Sequence, residues 1–86
     1  MDSHEQIVGV FINIIAKILE KPKEDISSSL DASFRDDFAM TSVEFFPLIA
    51  ELEEVFDFEI DYHDFLVNVH TINQGGDYIF EIISNR

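Results

Sequence analysis

The sequence predicts an all-α domain, a four-helix bundle of three long helices and one short, with a long loop between the first and second. Three observations carry this. Apolar residues recur at helical spacing in separate stretches, and no stretch alternates over strand length. Ser or Thr followed three residues later by Gln or Glu marks three helix starts, at Ser3, Thr41 and Thr71. The 86 residues make one domain, 1–86, the natural count. A chain of this length buries only about 60–65% of its unfolded surface, so its core is small.

The first helix opens with Ser3 and Gln6 as a capping box. Ile7, Phe11, Ile14 and Ile18 form one apolar row, and Val8, Ile12, Ile15 and Leu19 a second beside it, a wide arc that predicts a well-buried helix. Lys17 and Lys21 suit the negative end of its dipole and Pro22 stops it. Residues 22–40 show no sustained period and read as a loop pinned by Ile26, Leu30, Phe34 and Phe38; a loop so long in a small domain is more often functional than idle. The next helix starts with the Thr41–Glu44 capping box and runs to about Phe56, with Phe45, Leu48, Ile49, Leu52 and Phe56 facing the core. Pro47 lies in its second turn, where it removes a hydrogen bond and crowds the Val43 carbonyl at a cost of ~3 kcal/mol, so the first turn is expected to be loose or the regular helix to begin later. Asp61 with Asp64 opens a short helix carrying Phe65, Leu66 and Val69, broken near Asn68. Thr71 with Gln74 opens the last, carrying Ile72, Tyr78, Ile79 and Ile82, which Gly75 and Gly76 weaken by about 1 kcal/mol each.

Net charge is −13, with 18 acidic residues against five Lys and Arg. Arg35 and Arg86 have no basic residue between them and twelve carboxylates. That sign excludes nucleic acid and disfavours an anionic membrane surface; it suits proteins with basic patches, steered by the field, or serves only as a solvated surface. With no cysteine there is no disulfide framework, thiol nucleophile or zinc-thiolate site. The start Met1-Asp2-Ser3-His4 has no basic region of a secretory signal, and the apolar run Ile7–Ala16 is far short of the ~20 residues of a membrane span, so a cytoplasmic monomer is expected.

No catalytic cluster emerges, and a lone-acting enzyme is the weakest expectation. The run Asp57-Phe58-Glu59-Ile60-Asp61 looks like a calcium loop but lacks the glycine at its sixth position and has Asn68 where a bidentate Glu is required. Weak divalent binding around Glu54, Asp57, Glu59 and Asp61 would relieve charge; His63 and His70 flank a helix break and read as surface residues rather than metal ligands. No Gly-rich phosphate loop is present. The most informative residue is Ser42, a hydroxyl at a helix mouth that is either a cap or a handle for an attached group.

The run Ala32-Ser33-Phe34-Arg35-Asp36-Asp37-Phe38-Ala39-Met40-Thr41-Ser42-Val43, then Glu51-Leu52-Glu53-Glu54-Val55-Phe56, Glu59-Ile60, Thr71-Ile72 and Asp77-Tyr78-Ile79, resembles the acyl carrier protein family in order and spacing over nearly the whole chain. The family's loop ends in a phrase like Ala-Ser-Phe-x-x-Asp-Leu-Gly-x-Asp-Ser-Leu. The departures are Thr41 for Asp, Ala39 for Gly and Val43 for Leu, with Pro47 and the Gly75-Gly76 pair also atypical. They point to a divergent, dedicated member. Ala39 suits its turn provided φ is negative there.

The resemblance implies that Ser42 bears 4′-phosphopantetheine, attached by a phosphopantetheinyl transferase, and that the arm's thiol carries acyl groups as thioesters for fatty acid, polyketide or related lipid biosynthesis. The capping task then falls to Thr41. Partner enzymes with basic patches would dock on Val43, Phe46 and Ala50, rimmed by Glu44, Glu51 and Glu54; alternatively Val43 and Phe46 enter the core. Gly76 either widens a pocket for the acyl chain or loosens the last helix. Ser28-Ser29-Leu30-Asp31 mimics the attachment phrase at Ser29, but no amphipathic helix follows it. The alternative function is an unmodified acidic interaction module derived from the same fold.

Overall fold

In the computed structural model, residues 3–85 are described, and they form five helices with no strand among them. These are α1 (His4–Leu19), α2 (Lys23–Ser27), α3 (Ser42–Phe56), α4 (Tyr62–Asn68) and α5 (Ile72–Ser84). The expected three long helices and one short are present as α1, α3, α5 and α4. The correction is α2, one turn of helix inside the stretch expected to be loop. Pro22 precedes it at φ −61°, Glu24 and Asp25 favour its positive end, and Ile26 is its single buried residue. One turn with one apolar residue leaves no periodic signal to read.

Helix α1 starts with both halves of its capping box, Gln6 N–H to Ser3 Oγ at 3.2 Å and Ser3 N–H to Gln6 Oε1 at 2.9 Å. It buries Ile7, Val8, Phe11, Ile14, Ile15 and Ala16. It ends at Glu20, left-handed at φ 55°, where the Lys21 N–H closes back onto the Ala16 carbonyl at 3.0 Å, and Pro22 follows. Helix α3 buries the five residues expected of it, Phe45, Leu48, Ile49, Leu52 and Phe56. Phe11 and Phe65 stack at 6.4 Å between ring centres, and Phe34 meets Phe45 edge-on at 5.9 Å. Fully burying one such apolar side chain contributes ~1.5–3 kcal/mol, so these rings dominate the stability of a small core.

The expected looseness at Pro47 does not occur: α3 is helical from Ser42, with Pro47 inside it. Pro47 sits on the exposed side, so the Val43 carbonyl that lacks its helical donor is open to water. The glycine pair is also corrected. Gly75 and Gly76 are buried on the side of α5 that meets α1, where a Cβ would stand 2.5 Å from Phe11 Cζ and 2.8 Å from Val8 Cγ2 respectively. Gly76 opens no acyl pocket, because His4 and Val8 already occupy that space. Close helix approach is what these glycines provide.

Helix α4 is capped by Asp61, whose Oδ1 accepts the Asp64 N–H at 2.8 Å, and it stops at Asn68 as the sequence predicts. Tyr78 of α5 donates to Asp64 Oδ2 at 2.6 Å, joining the two helices; burial first, then that carboxylate, pushes its phenol well above the ordinary value. No described helix is long and apolar enough to cross a membrane.

Candidate functional site

The loop before α3 is fixed at both ends. Asp37 Oδ2 accepts the Ser33 N–H at 2.7 Å, Ser33 Oγ accepts the Asp36 N–H at 3.2 Å, and the Ser33 carbonyl accepts the Asp37 N–H at 2.9 Å. The Phe34 N–H reaches the His70 carbonyl at 2.9 Å and the Asn73 N–H reaches the Leu30 carbonyl at 3.1 Å, tying the loop to the junction of α4 and α5. Phe34 and Met40 are buried and bonded to one another, Met40 N–H to Phe34 carbonyl at 2.8 Å. Between Phe38 and Met40 the chain passes through Ala39 at φ 55°. That left-handed turn is the conformation for which glycine is the default, so the provision attached to Ala39 is not met.

This loop delivers Thr41 to the cap of α3 and Ser42 to its first residue. The Glu44 carboxylate accepts the Thr41 N–H at 2.9 Å and the Thr41 hydroxyl at 3.3 Å, while the Glu44 N–H goes to the Thr41 carbonyl at 3.0 Å. Ser42 is exposed, and among the described residues its hydroxyl has no hydrogen-bond partner. The Ser42 and Val43 N–H groups, at the positive end of the helix, are likewise unbonded within the described chain. A phosphodiester on Ser42 Oγ fits these donors and this dipole, and among the described residues no side chain competes for the hydroxyl.

Val43 is 75% exposed and Phe46 61% exposed, so both lie on the surface and not in the core. Ala50 and Glu54 share that exposed side. Glu51 is half-buried toward α1 and forms an ion pair with Lys17; Glu44 is engaged at the cap. The group expected on one face is therefore split, with Glu54 the rim acid that makes no hydrogen bond or ion pair among the described residues.

Sequence reasoning missed Tyr62. Its hydroxyl donates to the Ser42 carbonyl at 3.1 Å, and its ring stacks on Phe46 with centres 4.5 Å apart and planes 11° apart. No local pattern signals a contact between residues twenty positions apart in different helices.

The other candidates do not assemble. Among the described residues no three His, Asp or Glu come together to hold a metal ion, so the acids Glu54, Asp57, Glu59 and Asp61 form no chelating cluster. His63 and His70 are exposed, and His70 Nε2 lies 3.0 Å from the Val67 carbonyl. Ser29 is half-buried in the turn after α2. Hollows lie between α4 and α5, beside Asp57–Ile60, and between α1 and α3; neither Ser42, Val43 nor Phe46 lines any of these.

Comparison with curated proteins finds no match. The family model for the phosphopantetheine attachment site, however, matches residues 10–79, which span the second half of α1, the fixed loop, α3, α4 and most of α5. Its members carry a covalently attached 4′-phosphopantetheine. The helix mouth just described lies within the matched residues, and the chain belongs to this family: it is a phosphopantetheine carrier domain.

Proposed function

We propose that Ser42 is the attachment residue and that the domain is an acyl carrier protein, holding acyl groups for fatty acid, polyketide or related biosynthesis. One observation carries the choice of residue. Within the matched residues the serines are Ser27, Ser28, Ser29, Ser33 and Ser42. Ser27 and Ser28 donate to the carbonyls of Glu24 and Asp25, Ser33 Oγ accepts the Asp36 N–H, and Ser29 is half-buried in a turn. Ser42 alone combines an exposed, unbonded hydroxyl with the first residue of a long helix.

In the transfer, Ser42 Oγ bonds to the phosphorus of coenzyme A nearest the pantetheine, the pyrophosphate bond breaks, and the bisphosphorylated adenosine half leaves; the hydroxyl proton passes to the transferase. When bound, the arm supplies a terminal thiol that forms thioesters. Ser42 would hold it covalently, and the free Ser42 and Val43 N–H groups would serve its phosphodiester. Val43, Phe46 and Ala50 offer apolar contact to partner enzymes, and Glu54 with Glu44 and Glu51 offers charge to their basic patches. The chemistry on the cargo belongs to those partners. The working form is a cytoplasmic monomer, with a net charge of −13 keeping copies apart.

The test is intact mass after co-expression with a broad-specificity phosphopantetheinyl transferase. The expected result is a gain of one phosphopantetheinyl group that disappears in Ser42→Ala. No gain with several transferases favours an unmodified acidic interaction module.

A further inference from the structure

We propose that Tyr62 is a positioning residue for Ser42, bracing the attachment turn from the neighbouring helix. This rests on Ser42 as the attachment residue and adds what holds that residue in place. Three observations meet at the turn. First, Pro47 has no N–H, so the Val43 carbonyl, one residue after Ser42, lacks the donor that an uninterrupted helix supplies. Two rungs earlier the first bond of α3 is long, with the Phe45 N–H 3.3 Å from a Thr41 carbonyl that the Glu44 N–H also contacts at 3.0 Å. Helix α3 is regular from Ser42, but the rungs on either side of the Ser42 carbonyl are weakened, the Thr41 one being long and the Val43 one missing.

Second, Tyr62 supplies a donor from outside the helix, its hydroxyl 3.1 Å from the Ser42 carbonyl. Third, the same ring stacks on Phe46 at 4.5 Å. Phe46 is four residues on from Ser42 and shares its side of α3. Helix α4 thus grips the turn at two points, one turn apart, and fraying of Ser42 would break both. Tyr62 is itself placed by the Asp61 cap immediately before it. The consequence is chemical because the Ser42 hydroxyl has no bond of its own, so the backbone alone aims it. A reacting atom misplaced by ~1 Å can lose ~100-fold in rate.

Two readouts test this: kcat/KM for transfer of phosphopantetheine, followed by intact mass, and amide hydrogen exchange at Phe45 and Phe46 in the unmodified protein. Tyr62→Phe keeps the stack and removes the hydroxyl. It is expected to lower kcat/KM by about three- to tenfold, the worth of one hydrogen bond, and to speed exchange at both amides by a similar factor. Adding Pro47→Ala restores an N–H to the ladder and is expected to recover both. Unchanged values in Tyr62→Phe overturn the proposal. Slower transfer with unchanged exchange and no recovery makes Tyr62 a contact for the transferase and also overturns it. An unmodified native chain, or modification that persists in Ser42→Ala, overturns the Ser42 assignment and this proposal together; a modified native chain with an indifferent Tyr62→Phe overturns the positioning role alone.

Discussion

Ala39 sits at φ 55° between two residues that the core fixes, half-buried Phe38 and buried Met40. An L-residue in this region carries roughly 1–2 kcal/mol of steric strain, and glycine relieves it while adding about 0.5–1 kcal/mol of unfolded-state entropy. Ala39→Gly is therefore expected to stabilise the domain by about 1 kcal/mol and to raise Tm by about 4–8 °C in a thermal melt. A Tm that stays or falls would show that the turn is not strained. Glu20 and Asp57 share the conformation, at φ 55° and 58°, but there it serves to end α1 and α3. At this scale the caps were legible, because Ser3, Thr41, Asp61 and Thr71 act on residues three positions away. The sign of φ at Ala39 was not, since it depends on where the chain must go between Phe38 and Met40. Tyr62 was illegible for the same reason, as its meaning lies in a different helix.

The seam between α1 and α5 shows where local propensity misleads. Helix propensity alone favours Ala over Gly by about 1 kcal/mol per residue, and on that basis Gly75 and Gly76 look like weak points. A Cβ on Gly75 would lie 2.5 Å from Phe11 Cζ, and the Phe11 ring has no room to retreat because it is fully buried and stacked on Phe65. Overpacking of this kind costs typically ~1–3 kcal/mol. Gly75→Ala is expected to destabilise the domain by about that amount in a urea titration, despite its better propensity. Gly9 of α1 is the internal control: a Cβ there meets nothing within 4 Å, so Gly9→Ala should stabilise by about 0.5–1 kcal/mol. Equal gains from both substitutions would show that the α1–α5 approach is not tight. The apolar stripes of α1 and α3 were legible because each has enough turns to show a period. Helix α2 has one turn and one buried residue, Ile26, and Pro47 is tolerated because its orphaned carbonyl faces water; neither fact has a periodic trace.

For the whole molecule the field matters more than any single acid. Lys17, Lys21, Lys23 and Arg35 all precede α3, and none of the described residues after Arg35 is Lys or Arg, so α3, α4 and α5 present an acidic surface without Lys or Arg. On the proposed function such a surface would steer a basic partner toward Ser42, and would lose that effect as salt shortens the Debye length from ~30 Å at 0.01 M to ~8 Å at physiological strength. The choice of residue for a test follows from the geometry. Glu44→Lys would remove the acceptor of the Thr41 N–H, and Glu51→Lys would set a like charge beside Lys17. Glu54 is exposed and uncommitted, so its reversal perturbs the field with least effect on the fold. Glu54→Lys is expected to leave Tm within about 2–4 °C, since surface changes typically fall within ~0.5 kcal/mol. It should raise KM for the transferase by about two- to tenfold at low salt with kcat little changed, and the difference should shrink as salt is added. A kcat effect that persists at high salt would assign Glu54 to a direct contact, and unchanged kinetics at low salt would remove this end of α3 from the docking surface.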